Sequence, residues 1–247
     1  MTTLILALVA GAVVGLALGG LGGGGSVLAV PALIYLLGFT PAQATTASLF
    51  IVTLTSVTAL VGHARDGNVA WRTGLLFAAA GVVPAMLAGT VAGHVPQSVL
   101  TVAFAIVAAV AALYMLRPAR AESTGTVHPG KAGGAGAGLG TVTGLLGVGG
   151  GFLAVPALVG VLSLPMRRAV GTSLLVITVN SLAALGARAG TGTHLDWAAV
   201  APFTAAAVLG AWDGKRQAKK LKGNTLQRLF AYVLLAVAAF MLVDAVL

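Results

Sequence analysis

Residues 15–33, GLALGGLGGGGSVLAVPAL, recur in residues 140–158 as GTVTGLLGVGGGFLAVPAL. Five glycines align without a gap: Gly15, Gly19, Gly22, Gly24 and Gly25 on Gly140, Gly144, Gly147, Gly149 and Gly150. The LAVPAL stretch at 28–33 falls on the one at 153–158. The match then runs on. Ala44, Ser48, Leu49, Thr53 and Ser56 correspond to Ala169, Ser173, Leu174, Thr178 and Ser181, and Trp71 and Phe104 to Trp197 and Phe230. A chain duplicated in this way is built from two copies of one unit, so its fold must be assembled from two similar halves.

The solvent of those halves follows from charge. Charged residues make up 8% of the chain and apolar ones 58%, against about 25% charged in soluble domains. That polar surface cannot cover a water-facing protein. The chain reads as a polytopic helical membrane protein; its apolar segments are continuous and do not alternate as barrel strands do. With no Cys, disulfides, thiolate metal sites and thiol redox chemistry are excluded. The net charge of +9 lies in short loops and reads as membrane orientation, not nucleic-acid binding. Residues 1–64 hold no Lys or Arg, so a signal peptide with a basic leading region is not expected.

Five apolar segments per half are expected: residues 3–21, 26–39, 44–61, 71–92 and 99–116, then 135–147, 152–164, 169–187, 197–211 and 226–246. This divides the chain into a first membrane repeat (1–117), a polar linker (118–134) and a second repeat (135–247). A span needs about 20 apolar residues. The first two segments of each repeat meet that poorly and are expected to be short and broken at the glycine-rich turn. Exposed backbone is costly in lipid, so each break must be buried in protein or line a wet cavity.

Placing every strongly basic loop in the cytoplasm yields one topology. The first broken pair enters from outside, and its three spans end at a cytoplasmic linker. The second pair enters from inside, and its three spans end outside. Both termini are external, and the two repeats are inverted. Inverted repeats with broken helices are a recurring plan of secondary transporters, whose substrates bind near the midplane. Glycine lets backbone fold tightly and approach a ligand, and unpaired amides at a helix start favour an anion.

The expected substrate-binding set is therefore Gly22, Gly23, Gly24, Gly25 and Ser26 with Gly147, Gly149, Gly150, Gly151 and Phe152. The hydroxyl-rich third segments add Thr46, Ser48, Thr172, Ser173 and Asn180. Ser and Thr in spanning helices also bond their own carbonyls, which is the competing reading of the hydroxyls. The spacing of Gly11, Gly15 and Gly19 means close helix packing. The five acids, Asp66, Glu122, Asp196, Asp213 and Asp244, all lie away from the centres of apolar segments, which disfavours a cation carrier. Asp213 is placed to pair with Lys215 or Arg216. His63, His94, His128 and His194 read as loop or linker residues without metal-ligand spacing. No nucleophile, base and orienting acid can be assembled, so neither an enzyme nor a cofactor or metal site is expected. The glycine run lacks the Gly-Lys-Ser/Thr ending and the preceding strand of a nucleotide loop.

The doubled motif, GGLGGGGSVLAVPAL and GLLGVGGGFLAVPAL, with the ATTASL and AVGTSL stretches after it, resembles the TauE/SafE family of sulfite exporter-like permeases. The resemblance covers essentially the whole chain. It implies a multi-pass protein of the bacterial cytoplasmic (inner) membrane that moves sulfite, sulfonates or related sulfur oxyanions. The basic KRQAKKLK run departs from that pattern and reads as orientation or contact with anionic lipid. The expectation is a secondary transporter exporting sulfite or an organosulfonate by alternating access. An anion channel and a non-transporting scaffold or subunit stand as alternatives. Expected partners are the small anion, the lipid bilayer and, as an option, a second copy in a homodimer; nucleic acid is not one.

Overall fold

The computed structural model describes residues 2–92, 96–116, 128–145, 151–188 and 195–246. Among these every regular element is helical: α1 (Thr2–Leu21), α2 (Ser26–Pro31), α3 (Pro41–Arg65), α4 (Trp71–Ala92), α5 (Gln97–Leu116), α6 (Pro129–Leu145), α7 (Gly151–Gly160), α8 (Met166–Arg188), α9 (Trp197–Lys220) and α10 (Gly223–Val246). A tight 3-10 turn, Gly22–Gly25, joins α1 to α2. After Pro31, which has no N–H to give, α2 widens into a looser turn over Ala32–Leu36. Six helices (α1, α3, α4, α5, α8 and α10) are long and apolar enough to cross a membrane. At 20 residues α1 reaches spanning length, so the short members of the first repeat are α2 and the turns around it.

Local chemistry sets the boundaries. Thr40 and Gln43 form a capping box at the start of α3, with Pro41 in the first turn, where a missing N–H costs nothing. The Asp196 carboxylate accepts the Ala198 N–H at 3.0 Å and starts α9. α6 begins at Pro129, before the expected boundary at 135. Its PGKAGGAGAGLG stretch is poor in helix propensity, so packing must supply what propensity does not.

That packing is the same in both halves. Along α1, a Cβ on Gly11, Gly15 or Gly19 would collide with the carbonyl oxygens of Phe203, Ala207 and Ala211 of α9. Along α6, a Cβ on Gly136, Gly140 or Gly144 would collide with those of Phe77, Gly81 and Ala85 of α4. The two ladders are related by the duplication, rung for rung. Each half thus lays its first helix parallel to the fourth helix of the other half. Without side chains at the contact the backbones come close enough for dispersion, the main attraction between helices in lipid. Phe77 and Phe203 are buried beside these seams, and Phe104 and Phe230 occupy matching buried places on α5 and α10.

The third helices cross in the middle. The Thr178 hydroxyl donates to Ser56 Oγ at 3.0 Å, and the Ala70 N–H, just past α3, donates to Thr172 Oγ1 at 3.0 Å. Low numbers face high numbers, so α3 and α8 run antiparallel. Gln227, near the start of α10, donates to the Met115 carbonyl at the end of α5 at 2.6 Å, so these equivalent helices are also opposed.

One end of the bundle collects the positive charge. Lys215 and Lys219 near the end of α9 hold Asp66, which ends α3, at 2.9 and 2.8 Å. Arg167 at the start of α8 donates to the carbonyls of Lys219 and Leu221 at 3.0 and 2.9 Å, capping α9. Among the described residues every Lys and Arg except Arg188 lies in or beside a helix end at this face. Asp213 is not the partner of Lys215; its carboxylate accepts from Gln217 Nε2 at 2.8 Å. The Lys215 ammonium, paired with Asp66, also donates to the Gly62 carbonyl, 2.6 Å away.

Candidate functional site

Two glycine breaks, one per half, were expected to lie where the halves act together. Gly22 has φ of +68°, a left-handed conformation that is cheap only for glycine, and this ends α1. A Cβ at Gly22 would lie 2.5 Å from Ser173 Oγ and 3.1 Å from the Val170 carbonyl oxygen of α8. Gly23 rests against the start of α7, where a Cβ would collide with the Gly151 carbonyl oxygen and lie 3.0 Å from the Phe152 α-carbon. The first break therefore meets the second half at the residue where α7 begins. Gly22, Gly23, Gly151, Phe152 and Ser173 are all buried, so this backbone is enclosed in protein, as lipid requires.

Gly24 and Gly25 complete the 3-10 turn, and Ser26 opens α2; the Ser26 side chain lies outside the described set. Gly147, Gly149 and Gly150 lie outside the described residues as well. The third helices show the duplication in another way. The Ser173 hydroxyl donates to the Val170 carbonyl at 2.8 Å, and its mate Ser48 donates to the Thr45 carbonyl at 2.8 Å.

The hydroxyl-rich helices divide into groups. Thr46 donates to the Ala42 carbonyl at 3.1 Å, and Thr53, Thr55 and Thr58 likewise bond carbonyls one turn back. Such bonds satisfy the hydroxyl proton inside the helix and leave the oxygen able to accept. Thr172 is turned to the α3–α4 corner through its bond from Ala70 N. Thr46 and Thr172 stand at opposite ends of the antiparallel α3–α8 pair, so they do not share one site with each other. Asn180 is different. Its amide oxygen is buried with no hydrogen-bond partner, and the residue lines a cleft between α4, α6 and α8.

One buried group was not expected. His63 lies inside α3, not in a loop, and is buried. Its Nε2 is 3.1 Å from the Gly19 carbonyl oxygen. A carbonyl only accepts, so Nε2 carries the proton, while Nδ1 is buried with no partner. The bond ties the end of α3 to the last turn of α1, three residues before the left-handed Gly22. The extension of α3 four residues past the expected segment end hid this; a helix carried to Arg65 places His63 on the face of Ser56 and Ala59.

At the charged end, Lys219 and then Lys215 hold the Asp66 carboxyl below the usual carboxylate range. Among the described residues no cluster of His, Asp and Glu could hold a metal ion.

This arrangement of two crossed halves has relatives among known proteins. The family described as "Sulfite exporter TauE/SafE" matches residues 7–241. The chain belongs to the TauE/SafE family. It is also similar to a "Probable membrane transporter protein" of Xylella fastidiosa strain Temecula1, 33% identical, with 97% of this chain and 95% of that protein aligned. A second is the "Probable membrane transporter protein YunE" of Bacillus subtilis, 26% identical over 98% and 97% of the two chains. The TauE/SafE membership and the six spans identify a polytopic membrane transporter.

Proposed function

We propose that this TauE/SafE protein exports a small sulfur oxyanion, sulfite or an organosulfonate, across the bacterial cytoplasmic membrane by alternating access between two inverted halves. The observation that carries the reading is the contact of the first break, Gly22 and Gly23, with Gly151, Phe152 and Ser173 of the other half. Amides of the glycine turns serve as donors for the anion's oxygens, with the Ser173 oxygen beside Gly22. Movement of one half against the other would remake this junction, which is what alternation requires.

The membrane orientation has independent support. With the basic ends in the cytoplasm, α1 starts and α10 ends at the outer face, so both termini are external and the linker is internal. Trp71 and Trp197, both half-exposed, open α4 and α9 at opposite ends of the bundle, as residues of two interfacial belts do. The antiparallel course of α3 against α8 is what inversion demands. Anion export is downhill by about 2.3 kcal/mol per charge for each 100 mV of interior-negative potential, so a uniporter suffices.

The test is a thermal-shift and flux panel on the purified protein with sulfite, thiosulfate, taurine, sulfoacetate and sulfate. The reading expects sulfite or a sulfonate to stabilise the protein and to cross reconstituted membranes. Stabilisation by none of them, with no flux, would favour a scaffold or a subunit awaiting a partner.

A further inference from the structure

Duplication makes each cavity comparable with the matching place in the other half. The cleft between α4, α6 and α8 has a volume of about 310 Å³. Gly81, Thr143, Gly144 and Asn180 are on its lining. The matching positions are Ala207, Leu18, Gly19 and Thr55, and there the space is closed. All four are buried, with Leu18, Ala207 and Thr55 fully so. By contrast Gly81, Gly144 and Asn180 are partly exposed, while Thr143 is buried like Leu18. Thr for Leu and Gly for Ala remove the side chains that fill the second place.

The cleft has a defined level. It touches α8 from Val176 to Ala184, about 15–27 Å from the basic end at Met166 at a rise of 1.5 Å per residue. On α4 and α6, which start at the same end, it runs from Phe77 and Gly136 to Met86 and Gly144, about 9–23 Å by the same rise. It therefore crosses the middle of the molecule and reaches toward the outer end, with Asn180 about 21 Å and its counterpart Thr55 about 15 Å from the basic end. A two-fold device that alternates is open on one side and closed at the equivalent place on the other in any single state. The Asn180 amide oxygen, buried without a partner, is a second mark of a missing ligand, because such a group is costly when left unpaired.

We propose that this cleft is the outer chamber of the transport path, open in this conformation, and that Asn180 is the residue in it that binds the anion. The proposal rests on the transport reading above and adds a substrate class. An amide offers two N–H donors and one acceptor oxygen. A fully deprotonated oxyanion answers only the donors. A monoprotonated one, such as hydrogen sulfite, also gives an O–H to the Asn180 oxygen. The chamber therefore prefers a monoanion that carries a hydrogen-bond donor over a dianion such as sulfate.

The absence of Cys makes the test direct. Single variants Thr143→Cys and Ala184→Cys are compared with Ala59→Cys, the counterpart of Ala184, using a hydrophilic, membrane-impermeant thiol reagent applied outside intact cells. Labelling after denaturation in detergent counts the protein present. The first two should label at least ten times faster than the third, and hydrogen sulfite, but not sulfate, should slow Thr143→Cys several-fold beyond any slowing of Ala59→Cys, which measures the reagent consumed by sulfite itself. Equal rates at all three, or labelling of the cleft by lipid-soluble reagents alone, would overturn the chamber and make it a lipid-filled groove. In proteoliposomes, Asn180→Leu should raise KM for hydrogen sulfite about tenfold and reduce selectivity over sulfate, with Asn180→Gln recovering part of both. Unchanged KM and selectivity would remove Asn180 from the site. Wild-type protein that moves no sulfite would defeat the transport reading instead, and the labelling pattern would still decide whether the cleft opens to outer water.

Discussion

Glycines do two different jobs in this molecule. Those of the seams, Gly11, Gly15 and Gly19 on α1 and Gly136, Gly140 and Gly144 on α6, remain helical and only remove a side chain. Those of the first break begin with Gly22, whose backbone is left-handed and which ends its helix. The first kind is spaced at every fourth residue and the second is contiguous. A seam glycine is needed for space alone, whereas a break glycine is needed for space and for a backbone that other residues adopt at a cost. The seam joins the halves along paired helices, and the first break touches the other half at Ser173 and the start of α7.

The comparison breaks most visibly at the seams. Gly15→Leu, and its mate Gly140→Leu, would drive the Cβ into the backbone of Ala207 or Gly81, with no flexible side chain to yield. A loss of about 3 kcal/mol or more is expected, in the range of severe overpacking, and thermal unfolding in detergent measures it. Wild-type stability in either variant would mean that the ladders are not what joins the halves.

At the break the expected loss is smaller. Gly22→Ala should cost about 1–2 kcal/mol from the left-handed backbone, plus whatever is needed to move Ser173 Oγ aside. Adding Ser173→Ala should recover only the second part. Complete recovery in the double variant would show that space, not conformation, is what Gly22 supplies, and would merge the two classes. His63→Leu removes the donor to the Gly19 carbonyl and should cost about 1–3 kcal/mol, the price of an unpaired buried acceptor; unfolding of that variant beside His63→Gln separates the bond from the packing.

Asp66→Asn should have the smallest effect, within about 1 kcal/mol for a partly exposed ion pair. Its pH dependence has a definite sign. The Asp66 carboxyl is held below its ordinary value in the folded protein, so its contribution is present above the unfolded value and is lost as pH falls through the folded one. Wild-type protein should lose this increment below about pH 4, and Asp66→Asn should lack that limb of the acid unfolding curve.

Much of the architecture was legible in the sequence because duplication and apolar continuity are local properties. Residues 71–92 form one helix, as their apolar run implies, and Gly11, Gly15 and Gly19 do pack closely. Their partner was not legible, since nothing in α1 specifies a helix some 190 residues away. Of their mates in α6, Gly140 and Gly144 stood in the aligned halves, while Gly136 was hidden because it falls in a stretch too glycine-rich to read as a strong helix. Asp66 escaped for the same reason as α9, its pairing being long-range. The substitutions of Thr143 for Leu18, Gly81 for Ala207 and Asn180 for Thr55 were visible in the aligned halves and were the available signals of the cleft. His63 was misread from the end of an apolar run, although a helix does not stop where apolarity does.

The central claim is that an anion is carried where the first glycine break meets the start of α7. Counterflow tests it most directly. Proteoliposomes loaded with unlabelled sulfite receive a trace of labelled sulfite outside, and the label inside is followed over time. The account predicts a transient overshoot with wild-type protein, and none with Gly24→Val or Gly149→Val variants that insert and remain monodisperse. An overshoot that survives both substitutions would contradict it, and simple equilibration without overshoot would identify a channel.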